Sequence, residues 1–315
     1  MVDSQSKSNK GPFAGIVRGH RRIGRGFYRV RLEFGQSAGA AFGESDAGQF
    51  VQLDLSQAAL PPGEVIPAEL RDCSERKILL RRPFSFADVE VKNGKTFVEI
   101  LYSVAGPASL RMTTLSKDDT VSAIGPLGNG FRFPEEKKMA LIVAGGMGAG
   151  PLIHLAKELT MRHPQLKMMA FAGAKTKEDL PFERRLDAVS QEIGFSLAEF
   201  ARYAIESQTA TDDGSAGFKG FVTDCLCDWL EKNKSDSREM IIYSCGPEVM
   251  LAKVAEIAKQ RNIDCQVSME RRMACGIGIC QSCAVECIDE NGEKTYKLCC
   301  KDGPVFDAKE VIFNF

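Results

Sequence analysis

The stretch Leu141-Ile-Val-Ala-Gly145-Gly146-Met147-Gly148-Ala149-Gly150-Pro151 decides the fold of the middle of the chain. It predicts a strand buried on both faces, followed by a glycine-rich turn into a helix. Glycines let a backbone approach a pyrophosphate closely, and a helix N-terminus offers it N–H donors. A close strand–helix packing turn is the alternative interpretation. The candidate nucleotide-binding residues of this turn are Gly145, Gly146, Gly148, Gly150 and Pro151.

A second strand end follows the same plan in Ile242-Tyr-Ser-Cys245-Gly246-Pro247-Glu248. Apolar runs alternate with helical stretches over residues 136–265, which predicts a doubly wound parallel sheet. Such a sheet binds ligands at the carboxyl ends of its strands, so we expect a nucleotide-binding domain here. Glu248 would either orient the bound ligand or act only as a favourable acid at a helix N-terminus. This turn contributes the candidates Cys245, Gly246, Pro247 and Glu248.

Residues 12–135 show a different sequence pattern, in which short strand segments alternate between apolar and polar residues. Tyr28, Val30, Leu32 and Phe34 share one face of such a strand, and glycine and proline mark the turns. This pattern predicts a small antiparallel β-barrel. Between two of its strands lies Arg81-Arg82-Pro83-Phe84-Ser85, where an arginine can fork onto a phosphate and a serine hydroxyl can reach a flavin ring.

The last region, residues 266–315, contains six of the eleven cysteines. Cys275, Cys280 and Cys283 follow the spacing C-x4-C-x2-C, and Cys300 follows after sixteen intervening residues. This is the spacing of a plant-type [2Fe–2S] centre, whose thiolates converge from one loop and a returning strand. Spacing alone leaves Cys299 and Cys300 open as the fourth ligand. Zinc is the weighed alternative, although structural zinc sites usually combine two close cysteine pairs and only one is present.

The composition excludes several classes of protein. The 315 residues include 41 basic and 42 acidic ones, a formal net charge of -1, and no basic block of the kind that nucleic-acid binders carry. No long uninterrupted apolar run suggests a membrane span, and the polar stretch 1–11 has no secretory core and predicts a flexible tail. A cytoplasmic protein is therefore expected, in which clustered cysteines indicate a metal site rather than disulfides.

Together these motifs resemble the ferredoxin–NADP reductase family. The resemblance rests on the order Arg82-Pro83-Phe84-Ser85, the turn Gly145–Pro151 and Cys245-Gly246-Pro247. The cysteine tail and Cys300-Lys-Asp-Gly-Pro-Val-Phe306 narrow it to the electron-transfer subunits of NAD-dependent, type 1B dihydroorotate dehydrogenases.

This resemblance implies three cofactors, namely FAD on the barrel, NAD(H) on the parallel sheet and a [2Fe–2S] cluster on the tail. It also implies Cys300 as the fourth cluster ligand, from its register with the Asp-Gly-Pro turn. The family's flavin-phosphate turn resembles Gly-x-Gly-Thr, whereas this chain has Gly106-Pro107-Ala108-Ser109. The implied flavin contacts are Arg82, Pro83, Phe84, Ser85, Leu101, Tyr102, Ser103, Ala108 and Ser109.

The implied function is that of an oxidoreductase subunit in pyrimidine biosynthesis. An FMN-containing catalytic dehydrogenase subunit, in a heterotetramer, would oxidise dihydroorotate and send electrons through the cluster and FAD to NAD+. No catalytic side chain is expected here, because the cofactors carry the chemistry. The same module could serve another partner, such as a bifurcating NADH-dependent ferredoxin:NADP oxidoreductase, a sulfide dehydrogenase, a hydrogenase or a sulfite reductase. A zinc-stabilised, non-catalytic nucleotide-binding regulator is the alternative from another class.

Two further expectations concern specificity and docking. Asp212 and Asp213 lie where ribose hydroxyls are expected and would repel a 2′-phosphate, which favours NAD(H), although Lys219 opposes this. Apolar residues crowd the cysteine region and suggest either a docking face or a shield around the cluster. They are Met269, Met273, Ile277 and Ile279.

Overall fold

The computed structural model describes residues 12–182 and 197–314, so the tail predicted over residues 1–11 lies outside the described residues. The first part of the chain forms a sheet in which all neighbouring strands are antiparallel. Its strands are β1 (Phe13–Arg22), β2 (Phe27–Phe34), β3 (Phe50–Asp54), β4 (Arg82–Ser85), β5 (Asp88–Lys92), β6 (Lys95–Ser103) and β7 (Thr120–Leu127). Three short helices accompany them, namely α1 (Gln36–Gly43), α2 (Arg71–Ser74) and α3 (Pro107–Met112).

This first sheet closes on itself as predicted. Its strand order is β4-β3-β7-β1-β2-β6-β5, and β4 also lies against β6, so the sheet curls into a barrel. The alternation in β2 places Val30, Leu32 and Phe34 fully inside the barrel core. Period-two patterning thus fixes which face of each strand is buried, because successive side chains point to opposite faces.

A second sheet is built from the apolar runs of the middle region. Its parallel strands are β8 (Met139–Gly145), β9 (Lys167–Ala174), β10 (Glu206–Thr211), β11 (Phe218–Lys219), β12 (Met240–Cys245) and β13 (Asp264–Ser268). The last region adds a hairpin of β14 (Ala284–Ile288) and β15 (Lys294–Leu298), and then β16 (Val305–Asp307). Helices of these regions are α4 (Ala149–Arg162), α5 (Ala198–Ala201), α6 (Val222–Lys232) and α7 (Glu248–Arg261).

The order of this second sheet explains where a ligand can bind. The strands run β11-β10-β9-β8-β12-β13-β16, so the chain proceeds outward from β8 in one direction and then returns to the other side at β12. Connections that leave two adjacent strands in opposite directions open a crevice at the carboxyl ends of those strands. The crevice therefore lies after β8 and β12, where both predicted nucleotide turns begin.

The cysteine-rich region is attached to the second sheet at both of its ends. Residues 269–304, which we call the cluster lobe, leave β13 and return in β16, and these two strands pair antiparallel. The domain boundary expected between residues 265 and 266 falls inside β13. Phe50 and Leu127 of the barrel pack in the same apolar core as Cys283 and Phe306 of this region.

Buried charges join the barrel to the parallel-sheet domain. Arg29 on β2 is 3% exposed, and its guanidinium donates to Glu199 on α5 at 2.5 Å and to Glu99 on β6 at 2.6 Å. Lys157 on α4 donates to Asp88 on β5 at 2.5 Å. These contacts fix the orientation of the two domains around the crevice. None of the described helices is long and apolar enough to cross a membrane.

Candidate functional site

A cavity of about 1180 Å³ lies where the barrel, the parallel sheet and the cluster lobe meet. This is larger than a typical small-molecule pocket of about 300–1,000 Å³, so it has room for a dinucleotide. All the predicted flavin contacts and all the candidates from the two nucleotide turns line it. They are Arg82, Pro83, Phe84, Ser85, Leu101, Tyr102, Ser103, Ala108, Ser109, Gly145, Gly146, Gly148, Gly150, Pro151, Cys245, Gly246, Pro247 and Glu248.

Aromatic rings from adjacent strands form the barrel wall of the cavity. Phe84 on β4 and Tyr102 on β6 make an edge contact with centroids 6.3 Å apart. The Tyr102 hydroxyl lies 2.8 Å from Nε2 of His20, and Nδ1 of His20 lies 2.8 Å from the Leu115 carbonyl oxygen. Since a carbonyl only accepts, Nδ1 donates to Leu115, and in this tautomer Nε2 accepts from the Tyr102 hydroxyl. Burial raises the pKa of Tyr102, so this wall stays uncharged.

The polar side chains at the barrel end of the cavity differ in whether they are available to bind a ligand. Among the residues that the structure describes, the Arg82 guanidinium donates only to backbone carbonyl oxygens, that of Leu80 at 2.8 Å among them, so it can turn toward an anion. The Ser109 hydroxyl oxygen accepts from the backbone N–H groups of Ala105 and Gly106, at 2.9 and 3.1 Å. Ser109 therefore caps its own turn, and Arg82 is the group suited to a phosphate.

The two nucleotide turns touch each other at Gly148. A Cβ atom on Gly148 would lie 2.0 Å from the carbonyl oxygen of Cys245, so a side chain there would force the turns apart. Gly148 is therefore needed for the close packing of the two turns, and this role is compatible with ligand binding at the same place. Burial raises the pKa of the Cys245 thiol to about 12, which leaves a neutral group on the cavity wall.

Sequence reasoning missed the segment that forms the floor between the turns and the cluster lobe. Arg271 makes a two-pronged ion pair with Glu248, with N–O distances of 2.6 and 2.9 Å. The pair is partly shielded from solvent and holds Glu248 at the cavity. The doublet Arg271-Arg272 beside the cysteine motif was the available signal. The missed lining residues include Ser268, Met269, Glu270, Arg271, Arg272, Met273, Ala274 and Ser282.

The loop of residues 269–283, which we call the cluster loop, brings the predicted cysteine ligands together. The N–H groups of Ile277 and Cys280 approach Cys275 Sγ at 3.5 and 3.4 Å. Gly278 N–H donates to Cys300 Sγ at 3.1 Å, and Cys300 N–H donates to Cys283 Sγ at 3.4 Å. Backbone N–H groups directed at sulfur atoms are what an iron–sulfur centre requires.

The neighbouring Cys299 points elsewhere. It is fully buried, and its thiol donates to the carbonyl oxygen of Met269 at 3.2 Å, whereas Cys300 faces the cluster loop. This geometry supports Cys300 as the fourth ligand. The Ser282 hydroxyl and N–H lower the pKa of the Cys280 thiol to about 6, and burial raises that of Cys300 to about 12. A bound metal would supply the positive charge that keeps the buried thiol deprotonated.

The arrangement also bears on the zinc alternative. Within residues 12–182 and 197–314, no three His, Cys, Asp or Glu side chains converge closely enough to hold a single metal ion. Thiols spread around a loop and a following strand suit two irons, because each iron takes its own pair of cysteines. The backbone N–H groups directed at the sulfur atoms of Cys275, Cys283 and Cys300 fit an iron–sulfur cluster, in which the cysteine sulfurs accept such hydrogen bonds.

The residues predicted to set nucleotide specificity and those predicted to form a docking face lie in different parts of the structure. Asp212 and Asp213 follow β10 at the same sheet edge but do not line the cavity, and Asp213 accepts from Ser215 at 2.6 Å. Among the apolar residues of the cluster loop, Met269 is buried, whereas Ile277 and Ile279 are 48% and 76% exposed. Met273 is partly buried, so the two isoleucines are the members of this set that are exposed enough to form a docking face.

Comparison with known proteins follows the same division of the chain. Residues 270–312 match the family model of the iron–sulfur cluster binding domain of dihydroorotate dehydrogenase B. Residues 142–256 match that of the oxidoreductase NAD-binding domain. These matches confirm the predicted oxidoreductase class, and the first favours an iron–sulfur cluster over zinc.

Solved structures of low identity show the fold. The NADH-dependent reduced ferredoxin-NADP oxidoreductase is 24% identical, with a TM-score of 0.71 over 95% of this chain and 90% of that one. A ferredoxin NADP+ reductase from Neisseria gonorrhoeae is 15% identical, with a TM-score of 0.55 over 84% and 96%. The predicted fold class is confirmed.

Curated relatives are similar over most of their length. A dihydroorotate dehydrogenase B (NAD(+)) electron transfer subunit from Geobacillus kaustophilus is 36% identical over 82% of this chain and 89% of the relative. One from Caldanaerobacter subterraneus subsp. tengcongensis is 35% identical over 80% and 87%. The family inferred from the sequence motifs is thus confirmed, and this chain belongs to the dihydroorotate dehydrogenase B (NAD(+)) electron transfer subunits.

Proposed function

We propose that this chain carries electrons between an FMN-containing catalytic subunit that oxidises dihydroorotate and NAD+, within a heterotetramer. The observation that carries the proposal is the shared cavity. Its walls come from the barrel, from both nucleotide turns and from the cluster loop. One space bordered by all three candidate sites allows electrons to pass between them without leaving the protein.

The barrel wall fits FAD. Phe84, Leu101 and Tyr102 give an apolar, uncharged surface for a flavin ring, and Arg82 offers a guanidinium to the phosphates. When bound, FAD exchanges electron pairs with NAD(H) and single electrons with an iron–sulfur cluster. Tyr102 is held in place through its hydrogen bond to His20, so this wall is positioned before any ligand arrives.

The carboxyl ends of β8 and β12 fit NAD(H). The glycine turns give the dinucleotide close access to the backbone, as the topology of the sheet leads one to expect. Glu248, held by Arg271, lies where it can orient a nicotinamide. The Glu248–Arg271 pair connects α7 to the cluster loop, so both edges of the cavity are tied together.

The cluster loop fits a [2Fe–2S] centre held by Cys275, Cys280, Cys283 and Cys300. Cys283 and Cys300 are buried, whereas Cys280 is exposed at the surface. Ile277 and Ile279 flank Cys280 with exposed apolar side chains. An exposed ligand surrounded by apolar residues suits the docking of the catalytic subunit.

Reconstitution from separate subunits tests the proposal. The purified chain should oxidise NADH with an artificial electron acceptor and should show no dihydroorotate oxidation. Addition of the FMN-containing catalytic subunit should produce NAD-linked dihydroorotate oxidation. The matched variant Cys283→Ser should keep NADH oxidation, which needs only FAD, and should lose the dihydroorotate-linked reaction.

Two results would contradict the proposal. The first is that the two subunits form no complex at micromolar concentration. The second is a stable complex that transfers no electrons between NADH and orotate although both flavins and the cluster are present.

A further inference from the structure

Gln52 is a buried amide whose polar atoms are not satisfied by the protein. It lies on β3 with 1% of its surface exposed. Neither its Oε1 nor its Nε2 has a hydrogen-bond partner among residues 12–182 and 197–314. A buried amide without partners is costly, and each such group in a native protein calls for an explanation. Here the surroundings point to a partner outside the polypeptide.

The Gln52 side chain packs directly on the cluster loop. A Cβ atom on Gly276 would lie 2.1 Å from Gln52 Nε2 and 2.8 Å from its Cδ, so the amide fills the space beside this glycine. Gly276 follows the candidate ligand Cys275 and has a positive φ of +72°. Phe50, two residues before Gln52 on the same face of β3, packs in one core with Cys283 and Cys300.

Gln52 also borders the flavin wall. It pairs across the ladder with Pro83 of β4, and Pro83 lines the cavity. The residue therefore belongs to the barrel while its side chain contacts the cluster loop. The strand β3 is the element that places it between the two candidate cofactor sites.

We propose that the Gln52 amide donates a hydrogen bond to a sulfur atom of the bound cluster or of its ligand Cys275. The inference rests on the proposed function, because it requires the cluster. The cluster loop supplies its own donors from backbone N–H groups, and Gln52 adds a side-chain donor from the flavin domain. Gln52 is thus a positioning residue that couples the barrel to the potential of the cluster.

The direction of its effect follows from electrostatics. Reduction adds negative charge to the cluster sulfurs, and a hydrogen-bond donor stabilises the more negative state. Removing the donor should therefore lower the reduction potential. We expect a decrease of about tenfold in the equilibrium constant for one-electron reduction, which corresponds to ~59 mV.

The test compares Gln52→Met, which keeps the length of the side chain and removes its polar atoms, with the wild-type protein. The cluster potential is measured by redox titration followed by electron paramagnetic resonance, together with iron and FAD content. Thr209→Val is the matched control, because Thr209 Oγ1 is also buried with no hydrogen-bond partner in the described ranges, but lies on β10 of the other domain. Its cluster signal and potential should equal those of the wild type.

The outcomes separate this inference from the proposed function. Wild-type protein that holds no iron after anaerobic purification would overturn the proposed function itself. Wild-type protein with the cluster, and Gln52→Met with unchanged potential and spectrum, would overturn only the role of Gln52. A lower potential in Gln52→Met with full iron content supports the inference.

A second measurement decides the case in which Gln52→Met does not retain the cluster. Protein with ¹⁵N in its glutamine side chains is reduced and studied by electron spin-echo spectroscopy. The variant Gln281→Asn removes the labelled amide of the other glutamine near the cysteines. A ¹⁵N coupling that persists in Gln281→Asn supports the hydrogen bond from Gln52. The absence of this coupling overturns the proposed hydrogen bond.

Discussion

The ion pair between Arg29 and Glu199 offers a direct test of how the two cofactor domains are held together. Replacing Arg29 with methionine removes a guanidinium that is 3% exposed and leaves Glu199, which is fully buried, without this contact. It also removes the 2.6 Å bond to Glu99. Removing one partner of a buried pair typically costs ~3–5 kcal/mol, because the charge that stays buried loses the opposite charge that stabilised it.

We therefore expect Arg29→Met to lower the free energy of unfolding by ~3–5 kcal/mol. Urea denaturation can be followed by the fluorescence of Trp229, the single tryptophan, and by the release of flavin. The double variant Arg29→Met/Glu199→Leu should recover most of the loss, since apolar residues can replace a buried pair without net cost.

Lys138→Met provides the matched control. Lys138 forms an ion pair of 2.5 Å with Glu239, but it is 72% exposed, so its loss should cost ~0–1 kcal/mol. An Arg29→Met variant no less stable than this control would show that the interdomain pair contributes little. The domains would then be held together mainly by their apolar contacts and by the remaining ion pair between Lys157 and Asp88.

Three further predictions concern the sites. Serine in place of any one cluster ligand should remove iron and acid-labile sulfide while FAD stays bound, whereas Cys299→Ser should keep both; normal iron in Cys300→Ser would contradict the assignment. NADH should reduce the flavin faster than NADPH, because Asp212 and Asp213 repel a 2′-phosphate, and stopped-flow rates in the opposite order would refute this. Burial lowers the pKa of His154 from 6.5 in the unfolded chain to about 4 in the folded protein. As the pH falls from 6.5 toward 4, the imidazole is protonated in the unfolded chain but not in the folded protein. The free energy of unfolding should therefore decrease over this pH range. His154→Gln should flatten this slope in urea titrations, and an unchanged slope would assign it to other groups.

Most residues of the candidate site could be predicted because they lie in local sequence motifs. Three kinds of motif each indicate their chemistry within a short stretch of sequence. They are the glycine turns after β8 and β12, the Arg82–Ser85 strand and the close spacing of Cys275, Cys280 and Cys283. They line one cavity because a doubly wound sheet brings its strand ends to one edge. The alternation in β2 and β6 likewise made the barrel predictable.

What the sequence did not reveal depends on contacts between distant segments. Arg271 reaches Glu248 because the register of β13 directs the following residues across the crevice, and no local pattern encodes that direction. Gln52 is a polar residue between the apolar residues Val51 and Leu53, yet only the folded structure shows that it meets Gly276. The pairing of β16 with β13 was equally hidden, since two short strands can pair in many registers.

That pairing has a consequence for how such proteins change over evolution. Ser268 and Val305 are opposite each other in the ladder, so the cluster lobe is an insertion whose two ends are about 5 Å apart. The entropy of closing a loop on fixed ends rises only slowly with its length, by about 0.6 kcal/mol for each doubling. The lobe can therefore gain or lose residues, or be exchanged for another redox module, while the strands that carry it remain paired.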